Sequence, residues 1–118
     1  MKLIGFGGVF LRTNKLEELK RWYSKVFQLN MDDWNGTIIK PETQNETVFS
    51  FFDKEDSYFP VDQSVMLNFQ VDDMDEMLIH LKECDIPLVK AVESGEYCTF
   101  AWICDPEGRW IEIWAKPK

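Results

Sequence analysis

An acidic residue near the end of the chain is placed where it could contact a ligand. Glu112 lies between Trp110 and Trp114, and residues two apart in a β-strand share one face of the sheet. A carboxylate among aromatic rings could act as a general base or pair with a cationic ligand. Alternatively, Glu112 only makes hydrogen bonds within the fold. The residue types leave both interpretations open.

Other strands should add side chains to the same surface. The opposite face of the last strand carries Ile111, Ile113 and Ala115, which suits contact with a helix. The same alternation places a mixture of aromatic and polar side chains beside Glu112, namely Phe10, Arg12, Met66, Asn68, Gln70, Phe100, Trp102 and Cys104. We call the surface formed by Phe100, Trp102, Trp110, Glu112 and Trp114 the aromatic face. Its composition is typical of a small-molecule pocket, and equally of a subunit interface.

The remaining reactive residue types point away from a metal or thiol centre. Cys84, Cys98 and Cys104 are odd in number and contain no CxxC pair, so we expect reduced thiols in a cytoplasmic protein. Cys104 has no histidine or lysine beside it to activate a thiolate. His80, the single histidine, falls on a predicted helix behind the sheet, from which it should not reach the aromatic face.

Composition excludes several functional classes. The chain has 118 residues, 45% of them hydrophobic, which predicts one globular domain. A net charge of −8 argues against general binding to nucleic acid or to an anionic membrane surface. No apolar run approaches the roughly 20 residues of a membrane span. The opening residues Met1 to Gly5 do not resemble a signal peptide.

The pattern of elements is repeated. We predict a strand over Leu3 to Thr13, a helix capped by Asn14 and ending near Phe27, a hairpin turn at Asn35-Gly36, and strands over Thr37 to Lys40 and Thr47 to Phe52. The second half predicts strands over Val65 to Val71, Tyr97 to Cys104 and Arg109 to Ala115, with a helix capped by Asp72 or Asp73. A shift of 58 positions places Leu11 on Phe69 and Leu19 on Met77, keeping strand and helix in phase. This indicates a duplicated βαβββ unit.

The closing motif resembles that of a known superfamily. The residues Asp105-Pro106-Glu107-Gly108-Arg109-Trp110-Ile111-Glu112 resemble the DPxGxxIEL signature of the vicinal oxygen chelate superfamily, which includes glyoxalase I, bleomycin-resistance proteins, fosfomycin-resistance enzymes and extradiol dioxygenases. Trp22 to Phe27 and Val9 to Thr13 resemble its first helix end and opening strand. The resemblance implies an α+β fold of two βαβββ modules, about 1–53 and 65–118, joined by a 53–64 linker. Their strands would form a cupped mixed sheet with helices on its outer face.

The resemblance also implies where a metal would bind in related enzymes. The four positions correspond to Gly8, Ser50, Met66 and Glu112. Gly8 offers no side chain and Met66 only a soft thioether, while a catalytic divalent site usually has three protein ligands. We therefore predict no metal and no other cofactor.

The resemblance assigns Arg12 to the position that grips a carboxylate of glutathione in glyoxalase I. An ion pair between Arg12 and Glu112, or another acid, is the alternative. The predicted ligand-binding residues are Phe10, Arg12, Ser50, Met66, Asn68, Phe100, Trp102, Trp110 and Trp114, with Glu112 as the candidate catalytic residue.

Three functions are compatible with these residues. The first is a metal-independent protein that binds an aromatic or cationic organic molecule in the cup, as bleomycin-resistance proteins do by sequestration. The second is a metal-dependent lyase or isomerase of glyoxalase type with rearranged ligands, for instance Glu112 with Glu42 or Asp53. The third is a non-catalytic scaffold or regulatory module. The resemblance also implies a homodimer.

Overall fold

Two helices pack against one face of a four-stranded sheet. The structure is a computed structural model that describes all 118 residues. Its elements, in chain order, are α1 (Leu16–Phe27), β1 (Leu67–Gln70), α2 (Met74–Glu83), β2 (Glu93–Ser94), β3 (Thr99–Cys104) and β4 (Trp110–Ala115). Neither helix is long and apolar enough to cross a bilayer.

The sheet order follows the predicted second module. The strands lie in the order β1-β4-β3-β2, with β1 parallel to β4 and antiparallel pairing between the others. This is a βαβββ order in which β1, β3 and β4 lie within the three strands predicted for the second half, whereas β2 was not predicted. Its register places Asn68 opposite Glu112 on one side and Trp102 opposite Glu112 on the other. Directly paired residues share a face, so these three side chains form one row across the sheet.

The hydrophobic core lies between the helices and the face of the sheet opposite the aromatic face. Isoleucines 103, 111 and 113 are fully buried there, as their alternation predicts. The helical residues packed against them are Leu19, Tyr23, Val26, Met74, Met77 and Leu81. Leu16, the first residue of α1, is exposed although it is apolar.

The two helix starts differ from each other. Asp73 caps α2, as one of the two predicted candidates, because its Oδ1 accepts from Glu76 N–H at 3.1 Å. The prediction of Asn14 as the cap of α1 was wrong. The helix begins one residue later, after Lys15, and has no side-chain cap. Lys15 N–H donates to Thr13 Oγ1 at 2.9 Å, a local bond that competes with helix formation at this point.

The strands predicted in the first half are not observed. Residues 3–13, 37–40 and 47–52 contain no regular strand and make no backbone–backbone hydrogen bond. The Asn35-Gly36 turn does form, with Asn35 at φ 70° and Asp32 N–H bonded to Gly36 O at 2.8 Å. Alternation predicts which side chains share a face. A regular strand also needs a neighbouring strand to which its backbone can hydrogen-bond, and alternation does not predict that neighbour.

A buried carboxylate joins α1 to the turn between β3 and β4. The side chain of Asp105 accepts from Tyr23 Oη at 2.8 Å and from Arg109 Nη1 at 2.9 Å, and it also accepts from the backbone N–H groups of Glu107 and Arg109. Burial raises the pKa of Tyr23 well above its ordinary value, and the bond to Asp105 raises it further. The closing motif therefore fixes the first helix on the sheet.

Removing the Tyr23 hydroxyl should destabilise the fold. Tyr23→Phe deletes one donor to the buried Asp105 carboxylate, so we expect the free energy of unfolding to fall by about 1.5–3 kcal/mol, measured by urea denaturation. Tyr97→Phe makes the same chemical change at an exposed tyrosine and should be nearly neutral. Equal stability of the two variants would contradict the role of this bond.

Candidate functional site

Glu112 is buried and held by three neutral donors. Its side chain is 7% exposed. Oε1 accepts from Asn68 Nδ2 at 2.5 Å, and Oε2 accepts from Trp102 Nε1 at 2.9 Å and from Tyr58 Oη. Two donors come from the row set by the sheet register, and the third comes from the linker. A buried carboxylate without a cationic ion-pair partner is tolerated only because hydrogen bonds replace its lost hydration.

The linker crosses the aromatic face. Tyr58 packs edge-on against Trp102 at 6.1 Å and stacks on Phe52 at 5.2 Å between ring centroids. Gln63 fixes the end of this segment, because its Oε1 accepts from Trp110 N–H at 2.8 Å and its Nε2 donates to Trp110 O at 2.9 Å. Residues 53–64 therefore cover part of the predicted cup.

Lys90 completes this arrangement. Its Nζ lies 4.0 Å from the ring centroid of Trp102 and 5.3 Å from that of Tyr58, within the range of cation–π attraction. We call the group formed by Tyr58, Asn68, Lys90, Trp102 and Glu112 the Glu112 site. Neither Tyr58 nor Lys90 is among the predicted site residues, because both lie in segments without periodicity.

A second group of predicted residues lines a cavity beside Trp110. Phe10, Arg12 and Trp110 line a cavity of about 570 Å³, together with Gln63 and Arg109. Phe10 itself is 91% exposed. Among the remaining predicted ligand-binding residues, Phe100 stacks on Trp102 with 6.3 Å between ring centroids, and Trp114 is buried. Met66 is half-buried and Ser50 is exposed, and neither belongs to the Glu112 site or to this cavity.

Arg12 forms no ion pair, so the alternative that paired it with Glu112 or another acid was wrong. Arg109 forms the nearby ion pairs instead, because its Nη1 lies 2.9 Å from both Asp105 Oδ2 and Glu107 Oε2. Burial tends to lower the pKa of Arg109, but the hydrogen bond and charge of Asp105 outweigh it and raise the pKa. Arg109 Nη2 also donates to the backbone oxygen of Arg12 at 2.6 Å. The Arg12 side chain therefore reaches the cavity without a partner.

The residues present do not fit the divalent metal of the enzymes whose closing motif this chain resembles. Both oxygens of Glu112 already accept hydrogen bonds, and no group of three or more His, Cys, Asp or Glu side chains could hold a metal ion. Glu42 and Asp53, considered as rearranged ligands, are exposed and belong to no such group.

The other reactive groups lie outside the Glu112 site. His80 contacts the first helix, with Nε2 at 3.0 Å from Lys25 O, as expected for a residue behind the sheet. Burial raises the pKa of the Cys104 thiol, and the charge of Asp105 adds to this. A raised pKa reduces the thiolate fraction at neutral pH, which argues against a nucleophile.

Comparisons with solved structures show the fold. Lactoylglutathione lyase from Agrobacterium tumefaciens matches with a TM-score of 0.54 at 16% identity, covering 89% of this chain and 88% of that one. TioX from Micromonospora sp. ML1 matches with a TM-score of 0.54 at 14% identity over 89% and 93% of the two chains. An integron cassette protein from the mobile metagenome of V. cholerae matches with a TM-score of 0.56 at 16% identity over 97% and 98%.

The chain therefore has a glyoxalase-like α+β fold, as the resemblance of the closing motif predicted. No family model matches the sequence. No curated protein is significantly similar to it. At 12–16% identity to these and similar structures, the likeness carries the architecture alone.

Alkaline pH should loosen the Glu112 site. Burial raises the pKa of Tyr58, and its hydrogen bond to Glu112 raises it further. The pKa of Tyr23 is raised for the same reasons, by burial and by its hydrogen bond to Asp105. A raised pKa in the folded state gives stability that is present below the ordinary tyrosine pKa of about 10 and is lost as pH rises beyond it. We expect the free energy of unfolding, measured by urea denaturation, to fall steadily above pH 10.

The variant Tyr58→Phe should reduce the slope of this fall to roughly half, because one of two such tyrosines is gone. Tyr97→Phe, at an exposed tyrosine without a hydrogen bond, serves as the control. The same slope in wild type and Tyr58→Phe would show that the Tyr58 hydroxyl is not held by the fold.

Proposed function

We propose that this protein binds a small organic molecule on its aromatic face and does so without the catalytic metal of the related enzymes. The observation that carries the proposal is the buried Glu112 carboxylate, held by neutral donors between aromatic rings. Apolar walls with a few fixed polar groups are the usual composition of a ligand site. The role is recognition and sequestration, because no activated nucleophile or metal ligand set accompanies the carboxylate.

The cavity beside Trp110 is the entry route that we propose to this face, although Tyr23, Leu67 and Ile111 from the helix side of the sheet also line it. Its volume of about 570 Å³ falls within the range of small-molecule pockets. Trp110 connects this cavity to the Glu112 site, because Trp110 and Glu112 are two residues apart on β4 and share a face of the sheet. Phe10 offers an apolar surface and Arg12 an unpaired guanidinium at the entrance. A ligand would enter here and displace part of the 53–64 linker.

We further propose that the protein forms a homodimer in the cytoplasm. Three free cysteines suit a reducing compartment. The segments 3–13, 37–40 and 47–52 expose large apolar side chains, including Phe51 at 87%, and their backbone groups have no ladder partner. Unpaired extended backbone and apolar patches of this kind favour association with another chain, and a second copy is the partner we propose.

Ligand binding is tested by tryptophan fluorescence against a panel of aromatic compounds of positive, neutral and negative charge. At least one class should quench or shift the emission saturably. Glu112→Gln should weaken that binding about tenfold or more, because loss of one partner in a charged hydrogen-bond network costs about 1.5–3 kcal/mol. Glu83→Gln, an exposed change at the end of α2, should have no effect. No response to any compound would contradict the proposal.

The metal content is tested separately by elemental analysis of protein purified without chelator. We expect far less than one divalent ion per chain. One full equivalent of nickel or zinc that disappears in Glu112→Ala would favour the glyoxalase-type lyase instead.

The dimer is tested by size-exclusion chromatography with light scattering. The expected mass is twice that of the 14.0 kDa chain. Phe51→Glu should shift it towards the monomer, because a charge in an apolar interface is unfavourable. A monomeric wild type over the micromolar range would contradict the proposed assembly.

A further inference from the structure

The Glu112 site already contains a cation that belongs to the protein itself. Lys90 Nζ lies over the faces of Trp102 and Tyr58. Although the chain carries 21 acidic residues, Lys90 forms no salt bridge among those observed. Its ammonium group is therefore placed by aromatic rings and not by a carboxylate, which is the arrangement used to recognise organic cations.

Access to Trp102 depends on moving this lysine. The indole of Trp102 is 0% exposed, so a ligand can stack on it only if Lys90 or Tyr58 leaves. The backbone next to Lys90 is anchored, since Val89 N–H donates to Trp102 O at 2.8 Å. Lys90 itself is an exposed residue outside any helix or strand. Its side chain can therefore swing into solvent without breaking secondary structure.

The charges around the site favour replacement of one cation by another. Glu112 lies at the polar edges of both rings, where it accepts from Trp102 Nε1 and Tyr58 Oη, and the negative charge of Glu93 on β2 also acts on Tyr58. Lys90 is the one positive group in contact with the rings of Trp102 and Tyr58. If it left alone, two acidic groups would remain beside aromatic faces without a nearby positive charge. A neutral or anionic ligand would leave that imbalance, whereas an organic cation would remove it.

We infer that the ligand is a monocationic organic molecule, an ammonium or cationic aromatic compound, whose positive group takes the place of Lys90 Nζ over Trp102. Lys90 then competes with the ligand for the same position over Trp102, so that the site favours ligands that are also positively charged. This inference depends on the ligand-binding role proposed above and specifies the chemical class that the site accepts.

The test uses two probes of the same shape, phenyltrimethylammonium and the neutral tert-butylbenzene, with the wild-type chain and Lys90→Met. We expect the wild type to bind the cation more tightly than the neutral compound. Lys90→Met should bind the cation about two- to five-fold more tightly than the wild type, the range that corresponds to loss of an exposed cation–π contact. Lys82→Met, which removes the same charge from α2, should bind like the wild type.

Proton NMR gives a direct readout of displacement. Ring currents of Trp102 and Tyr58 should shift the Lys90 ε-methylene protons upfield in the free protein, and the cation should return them to ordinary values. Equal affinity for both probes, with no gain in Lys90→Met, would overturn this inference and leave the proposed function standing. Binding of neither probe to either protein, together with no response in the wider panel, would overturn both.

Discussion

The structure depends on satisfying one ionisable group in the sheet interior without an ion-pair partner. Glu112 sits in the centre of the row formed by β1, β4 and β3, and its oxygens accept from an amide, an indole and a phenol. Each donor is neutral, so each must be close and well aligned to offset the lost hydration. That requirement fixes the rotamers of Asn68 and Trp102, and it draws the linker across the aromatic face through Tyr58.

This solution differs from that of the metal-using enzymes with the same closing motif. Where the resemblance places metal ligands, this chain has Gly8, Ser50 and Met66, so the one remaining carboxylate cannot be stabilised by a divalent ion and two or more companions. Indole and phenol donors take the ion's place as the source of favourable electrostatics. The surroundings of Glu112 are therefore apolar and aromatic, as the ligand-binding role proposed above requires.

Sequence reasoning succeeded where a local rule determines the outcome. The alternation along β4 predicted which side of the sheet holds Trp110, Glu112 and Trp114, and residue type gave Asp73 as one of two candidate helix caps. It failed where the outcome depends on distant partners. The strands of the first half have the correct alternation but no ladder neighbour, and Tyr58 finds Glu112 across 54 positions of sequence. Neither the composition nor the period of residues 53–64 contains that information.

The contact between Tyr23 and Asp105 has a consequence for the order of folding. The two residues are 82 positions apart, and the partners of α1 in the core include β3 and β4 at the end of the chain. During synthesis the first helix therefore leaves the ribosome long before the strands that bury it exist. A chain released before β4 would leave the apolar side of α1 in water. The native packing of α1 therefore forms only once β3 and β4 are present.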